Sequence, residues 1–505
     1  MIALHDYLDY YAKITPTHIF SNFEGRSTTY GDAAALSTGI AELLTAKGFT
    51  SGDRIAILSR NSDRFLPIIC AASKTGIIAV PLNYRLAGSE ISFILEDAGV
   101  KLLFIQASEL NGLKAKGWAA PDGCIIMLIE DLAAHSTNGV IAQSSTSDDA
   151  LILQMYTSGT SGRPKGVLIT QGALLANAHQ LEVAIPYRLN RCDRYLIVCP
   201  LYHAAALISA VMTLRAGGEA VIHAEFDPVA VVSSLSAGGI AATTLIPAMI
   251  SRCIEWAENS EPSPSTPFCF PALKHLLYGA SPISPDILAN AVAFFGCQFT
   301  QAFGLTETTS AATALTSEDH SLALAEQPQL LRSCGRALIG TRIHAGAQGA
   351  NEVAEIQVSG PQLMQGYANL PEATAASLSG GWLKTGDAGT CDANGYLTIR
   401  DRLKDMIISG GENIYSIEVE NTLLSYPPII DAAVIGVPDP EYGEALLAFI
   451  VIKGETVKTD AIIAHCRQLL AGYKIPRRYM VIEALPRNPS GKILKEQLRE
   501  PFWKD

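Results

Sequence analysis

The chain has 505 residues, 48% of them hydrophobic and 17% charged, with a formal net charge of −12. This composition suits a globular protein of two to four domains with large cores; its acidity argues against a general nucleic-acid binder and requires local cations around any anionic ligand. Ten cysteines without a CxxC pair or a metal-ligand Cys/His spacing argue against structural zinc. They read as reduced thiols of a cytoplasmic protein, and neither a signal peptide nor a transmembrane segment is seen.

In chain order, apolar patterning predicts a strand at 54–58, a helix at 62–75, a strand at 77–82, a helix at 89–98 and a strand at 101–106. That alternation is the βαβ signature of a parallel, doubly wound sheet. Two more strands, 151–156 and 166–170, flank the run YTSGTSGRPKG at 156–166. Strand 194–198, helix 204–216, strand 218–223, helix 228–237 and strand 241–246 form a second unit of the same build. A Ser/Pro-rich loop at 260–267 follows. From about 332 to 400, short strands such as 354–359 and 396–400 lie between Gly-rich turns and make a small β unit. The stretch Asp401-Arg402-Leu403-Lys404-Asp405 reads as a charged, exposed junction. Beyond it a helix at 417–425, strands at 429–436 and 444–452, a helix at 459–470 and a strand at 479–481 give a small α+β domain. The expected fold class is α/β. A large N-terminal domain, residues 1–401, holds two doubly wound βα units and a small β-barrel-like unit. A C-terminal α+β domain covers 402–505.

The run at 156–166 offers hydroxyls on Thr157, Ser158, Thr160 and Ser161, glycines at 159, 162 and 166, and the cations Arg163 and Lys165. Such a loop can wrap a polyphosphate through backbone N–H groups, hydroxyl donors and positive charge. A mobile Gly/Ser surface loop is the other reading of the segment alone. The common nucleotide loop GxxxxGK[ST] does not fit, because Pro164 precedes the lysine and the loop joins two strands instead of opening a helix. Five further segments stand at strand ends or in turns: PLYH at 200–203, YGASP at 278–282, QAFGLTET at 301–308, WLKTGD at 382–387 and PRNPSGKILK at 486–495. Strand-to-turn positions are where open α/β sheets bind ligands.

In this order, the six segments resemble those of the acyl-adenylate-forming superfamily, over about 30–498. SGGENI at 409–414 and PLYHAAA at 200–206 make the chain most similar to fatty-acyl, feruloyl and related aryl-CoA ligases. The resemblance implies a two-step reaction with ATP, Mg2+ and CoA: a carboxylic acid attacks the α-phosphorus of ATP, and a thiol then displaces AMP. It assigns Thr157, Ser158, Gly159, Thr160 and Lys165 to the β- and γ-phosphates, Thr306 to the α-phosphate and Glu307 to the metal. Gly279, Ala280 and Ser281 with Phe303 would form the adenine slot, Asp387 would accept the ribose hydroxyls, and Arg402 would reach the ribose or α-phosphate. A turn-capping role is the plain alternative for Asp387, as a solvated loop acid is for Glu307. Lys492 would neutralise the carboxylate and α-phosphate during adenylation. Because it is remote from the ATP loop, the small domain would close over the large one about a hinge at 402–404, with Lys404 at the hinge position.

By the same resemblance Gly410 and Gly411 line the thiol tunnel, and Tyr442, Tyr473, Lys474 and Arg477 face the CoA nucleotide. A solvated cationic face is an equal alternative for the last group. His203 would stand at the mouth of the acid pocket, or cap a helix. Ala204, Ala205 and Ala206 leave room for a bulky acyl group, or let a helix approach a sheet. Three departures appear: Ser416 stands where many relatives have proline, which predicts a less rigid loop; Lys495 replaces a frequent arginine; and the segment 345–350 is short. The leading expectation is an acid–CoA ligase acting on a fatty, aryl or hydroxycinnamic acid, with loading of a carrier protein as the alternative. An amino-acid substrate is disfavoured because no Asp accompanies PLYH to hold an ammonium. A luciferase-type oxygenase shares these motifs, but the SGGENI loop favours CoA chemistry. A non-enzymatic ATP-binding module would dispense with Lys492, Glu307 or Asp387, and all three are present.

Overall fold

The computed structural model describes residues 2–137, 147–157, 163–260, 268–281, 283, 285–346, 353–410, 412–454, 457–487 and 493–503. A seven-stranded sheet carries the first βα unit. Its order is Gly366–Tyr367, Lys165–Thr170, Leu151–Thr157, Ile78–Leu82, Arg54–Leu58, Val100–Ile105 and Ile125–Leu128. The last five are parallel, and the first three alternate in direction, with Lys165–Thr170 antiparallel to both its neighbours. The first predicted helix starts at Phe65 and not at 62. Pro67 therefore falls in the first turn, where the missing N–H would have had no helical partner.

A nine-stranded sheet carries the second unit. Six parallel strands, Gln298–Phe303, His275–Gly279, Ile240–Leu245, Arg194–Ile197, Glu219–Ile222 and Ile19–Phe23, are flanked by antiparallel edges. Two features were absent from the sequence reading. The N-terminal hairpin Ile19–Phe23/Arg26–Thr29 adds to the second sheet through Ser21 and Ala220. The short strand Gly366–Tyr367 returns to the first sheet beside Lys165–Thr170. One continuous core joins the two sheets, with Ile40, Ile68, Leu174 and Leu207 from four helices among its fully buried members.

The small β unit is a five-stranded antiparallel sheet built on Ala354–Ser359, Trp382–Cys391 and Leu397–Arg402. The final sheet pairs Ile429–Asp439 with Gly443–Ile452 over ten positions and takes Arg478–Val481 in parallel. Its helices Ser416–Leu424 and Thr459–Leu469 bury Val419, Leu423, Ile462 and Cys466.

The junction corrects one expectation. Asp401 is 1% exposed and Asp405 8%, and the strand Leu397–Arg402 runs through the position read as an exposed linker. Charge complementarity explains it. Asp401 accepts the N–H and, at 2.6 Å, the hydroxyl of Ser416; Lys495 donates to that hydroxyl and pairs with Glu420 at 2.6 Å; Arg499 pairs with Asp405 at 2.7 Å. Ser416, expected to loosen its loop, is fully buried and tied down at the start of a helix. Among the described residues, no helix is long and apolar enough to cross a membrane.

Candidate active site

The hairpin Leu151–Thr157/Lys165–Thr170 closes with Thr157 opposite Lys165, so the candidate phosphate loop joins the last pair of an antiparallel ladder. Ser158, Gly159 and Thr160 lie outside the described residues. The loop's base is braced from helix Gly88–Ala98: Tyr156 donates to Asp97, and the Arg163 guanidinium lies 5.4 Å from the Phe93 ring centroid. Lys165 points its ammonium at the ring of Tyr367, 4.9 Å from the centroid, and the Tyr367 hydroxyl donates to Glu307 Oε1 at 2.9 Å. A cation and a carboxylate from distant segments thus meet on one tyrosine.

Glu307 and Thr306 sit in a single 3-10 turn, Thr306–Thr308, directly after strand Gln298–Phe303. The turn is folded hard on itself. A Cβ at Gly304 would lie 2.1 Å from the Ser310 carbonyl oxygen, Thr309 adopts φ +63°, and Met364 N–H donates to the Glu307 carbonyl at 2.8 Å. The carboxylate is therefore held on fixed backbone. Among the described residues, no cluster of three or more His, Cys, Asp or Glu makes a self-sufficient metal cage. A Mg2+ at Glu307 would take its other ligands from phosphate oxygens and water, a set that suits this hard cation.

The adenine candidates occupy neighbouring strand ends. Gly279 pairs with Ala302, and a Cβ on it would come within 2.1 Å of the Ala302 carbonyl. Ala280 follows in the left-handed region at φ +67°, at the end of the strand paired with that of Phe303. Phe303 packs in turn on the core of the small β unit, with Ile356, Val358 and Leu397. That unit supplies Asp387, 3% exposed, opposite Arg402 in register and paired with it at 3.1 Å. Asp387 lies within strand Trp382–Cys391, and its N–H donates to Thr385 Oγ1.

His203 is the N-cap of helix Ala204–Ala216, but its side chain makes no capping bond. Asn61 fixes the preceding segment across the sheets: it donates to the Cys199 and His223 carbonyls at 3.0 and 3.1 Å and accepts from Leu201 N–H at 2.7 Å. The His203 ring lies 4.4 Å from that of Tyr202, and its Nε2 is buried without a partner among the described residues. Burial, with a smaller effect from Arg85, lowers its pKa to about 4, so the imidazole is neutral at pH 7. Ala206 is buried, whereas Ala204 and Ala205 are half-buried.

The C-terminal candidates gather separately. Gly410, at φ +59°, donates to the Tyr442 carbonyl at 2.8 Å, and the Arg477 guanidinium stacks 3.9 Å over the Tyr442 ring. Lys474 is engaged by Glu418 at 2.7 Å, and Tyr473 is half-exposed. Gly411 and Lys492 lie outside the described residues.

A family model for AMP-binding enzymes matches residues 8–368, and one for the AMP-binding enzyme C-terminal domain matches 418–492. The chain belongs to the AMP-binding enzyme family. Within it, the chain is 35% identical to the fatty acid–[acyl-carrier-protein] ligase ScoC of Streptomyces coeruleorubidus, over 98% of this chain and 96% of that one. It is also 35% identical to a feruloyl-CoA synthase of an Amycolatopsis species, with 97% of each covered. Its structure is similar to that of o-succinylbenzoate coenzyme A synthetase of Bacillus subtilis in complex with ATP and magnesium ion, with a TM-score of 0.85, 31% identity and 97% and 98% coverage. The two matches span the segments at 156–166, 200–203, 278–282 and 301–308 whole and that at 486–495 in part. Tyr367, by contrast, escaped the sequence reading. It follows a lone glycine in a two-residue strand, and nothing local marks it; only the sheet brings it to Lys165.

Proposed function

We propose that this chain is an ATP-dependent acid–CoA ligase. It transfers AMP from ATP to a fatty or aryl carboxylic acid with release of pyrophosphate, then passes the acyl group to the CoA thiol with release of AMP. The observation that carries this reading is the meeting of Lys165 and Glu307 on Tyr367, a cation and a metal-type carboxylate set for a polyphosphate. A carboxylate resists a thiol because its oxygen leaves poorly; AMP leaves well, so the first step activates the acyl carbon for the second. The protein's work is positioning and charge neutralisation. Magnesium bound at Glu307 would supply positive charge beside the phosphates. Thr157, Ser158, Gly159, Thr160 and Lys165 hold the phosphates, Thr306 the α-phosphate, Asp387 and Arg402 the ribose, and Gly279, Ala280, Ser281 and Phe303 the base.

Neutral His203 faces the acid without repelling or trapping it as a salt. Lys492 screens the acid from the α-phosphate, and residues 402–505 move as a unit over 1–401 about 402–404 to bring it there. Gly410 and Gly411, with Tyr442, Lys474 and Arg477, receive the CoA side. The enzyme is assigned to the cytoplasm. A second reading, transfer to a carrier-protein thiol, is favoured by the ScoC similarity. Pyrophosphate release over a panel of acids, with and without CoA, tests both. Release with a fatty or aryl acid and thioester formation on CoA support the ligase. No ATP consumption with any acid sinks the enzyme, and AMP-ester turnover without a CoA thioester transfers the proposal to a carrier protein.

A further inference from the structure

We propose that Tyr367 is a positioning residue that locks the phosphate-loop lysine and the metal-side carboxylate into one unit, an inference that rests on the ATP-dependent reading above. Its backbone is held on both sides. Tyr367 pairs in register with Val167, two residues beyond Lys165, and its N–H donates to Thr374 Oγ1 at 2.9 Å. Ala368 N–H donates to the Gly166 carbonyl at 2.8 Å, which continues the pairing to the edge of the loop. The backbone under the ring is therefore held beside the strand of Lys165, whose ammonium lies 4.9 Å from the ring centroid. The hydroxyl, 2.9 Å from Glu307 Oε1, engages one carboxylate oxygen; among the described residues Oε2 has no hydrogen-bond partner and would be the one to face a cation.

The two contacts use different parts of one side chain, and chemistry can separate them. A phenylalanine keeps the face that receives Lys165 and removes the donor that fixes Glu307. The structure therefore assigns the hydroxyl to the metal side and the ring to the phosphate side. Binding of Mg·ATP and of ATP in EDTA, measured by calorimetry on the full chain, reads these separately from turnover. Tyr367→Phe is expected to weaken Mg·ATP roughly ten- to a hundredfold, the effect of one lost hydrogen bond to a charged group, and to leave ATP in EDTA within about twofold. Tyr367→Ala is expected to weaken both. The double variant Tyr367→Phe/Glu307→Gln should bind Mg·ATP no worse than Glu307→Gln alone, because the two residues act through one contact.

Equal weakening of Mg·ATP and ATP in EDTA by Tyr367→Phe, no weakening of either, or additive losses in the double variant would overturn the assignment. If the alanine variant fails to fold, as judged by its melt, the phenylalanine variant and the double variant carry the test alone. Failure of the unsubstituted chain to bind Mg·ATP would overturn the ligase reading itself, a result distinct from any pattern among the variants.

Discussion

Gly279 and Gly304 are positions where the site has no room for a side chain. At each, a Cβ would lie 2.1 Å from a carbonyl oxygen of the adjoining backbone. Gly279→Ala or Gly304→Ala must separate strand ends or turns at the proposed nucleotide site. We expect a loss of about 2–4 kcal/mol in chemical denaturation together with weakened ATP binding; unchanged stability and affinity would contradict the crowding. His275 gives a pH-dependent prediction. It is 1% exposed, bonded through Nε2 to Thr300 at 2.9 Å, and burial lowers its pKa to about 3. The unfolded chain binds its proton near pH 6.5 while the folded chain does not. Its contribution to stability is complete above that pH and is lost as the pH falls toward 3. Between pH 7 and 5 the loss is up to about 2 kcal/mol, and His275→Gln should flatten the stability curve over that interval. At this scale, legibility tracks local sequence. Glu307 and Asp387 announce themselves within short motifs. Tyr367 does not, because its partners lie 60 and about 200 positions away and only a sheet assembles them.

Among the elements, the helix Ser416–Leu424 shows how a departure from a family pattern can be misread. Where proline is frequent, a serine suggests slack; here its N–H and hydroxyl bind the buried Asp401 and its oxygen receives Lys495. A proline offers neither donor. The serine thus ties the last strand of the small β unit to the first helix of the C-terminal unit and to the segment just after Lys492. Burial pushes the Glu420 carboxyl up, and Lys495 opposes the shift. Lys495→Met leaves Glu420 and Asp401 buried without that cation and should cost about 3–5 kcal/mol in denaturant unfolding. Adding Glu420→Gln should recover part of it, and an equal loss in both variants would argue against a charge effect. The strands and helices themselves were largely legible, since 2- and 3.6-residue periods act locally. The hairpin Ile19–Phe23/Arg26–Thr29 was not, because its place is fixed by pairing with Ala220, about 200 residues on.

For the whole molecule, the proposed division at 402–404 makes Lys492 a group that must travel. Lys492→Ala is expected to lower pyrophosphate release by at least about 100-fold, in line with removal of one group that stabilises developing charge, while thioester formation from a supplied acyl-adenylate changes little. Equal loss in the two half-reactions would contradict the moving-unit assignment. The short strand Gly366–Tyr367 has a different consequence, in the order of synthesis. When a nascent chain has passed Thr170, both strands of the phosphate-loop hairpin exist, yet the outer one, Lys165–Thr170, still has an open edge. Its neighbour arrives only after the whole second sheet has been translated. An open strand edge invites wrong pairing, and contacts of such long range form late. The proposed nucleotide site is thus among the last parts of the large domain to mature, and a chain released before Tyr367 would carry Lys165 without the ring and the strand that face it.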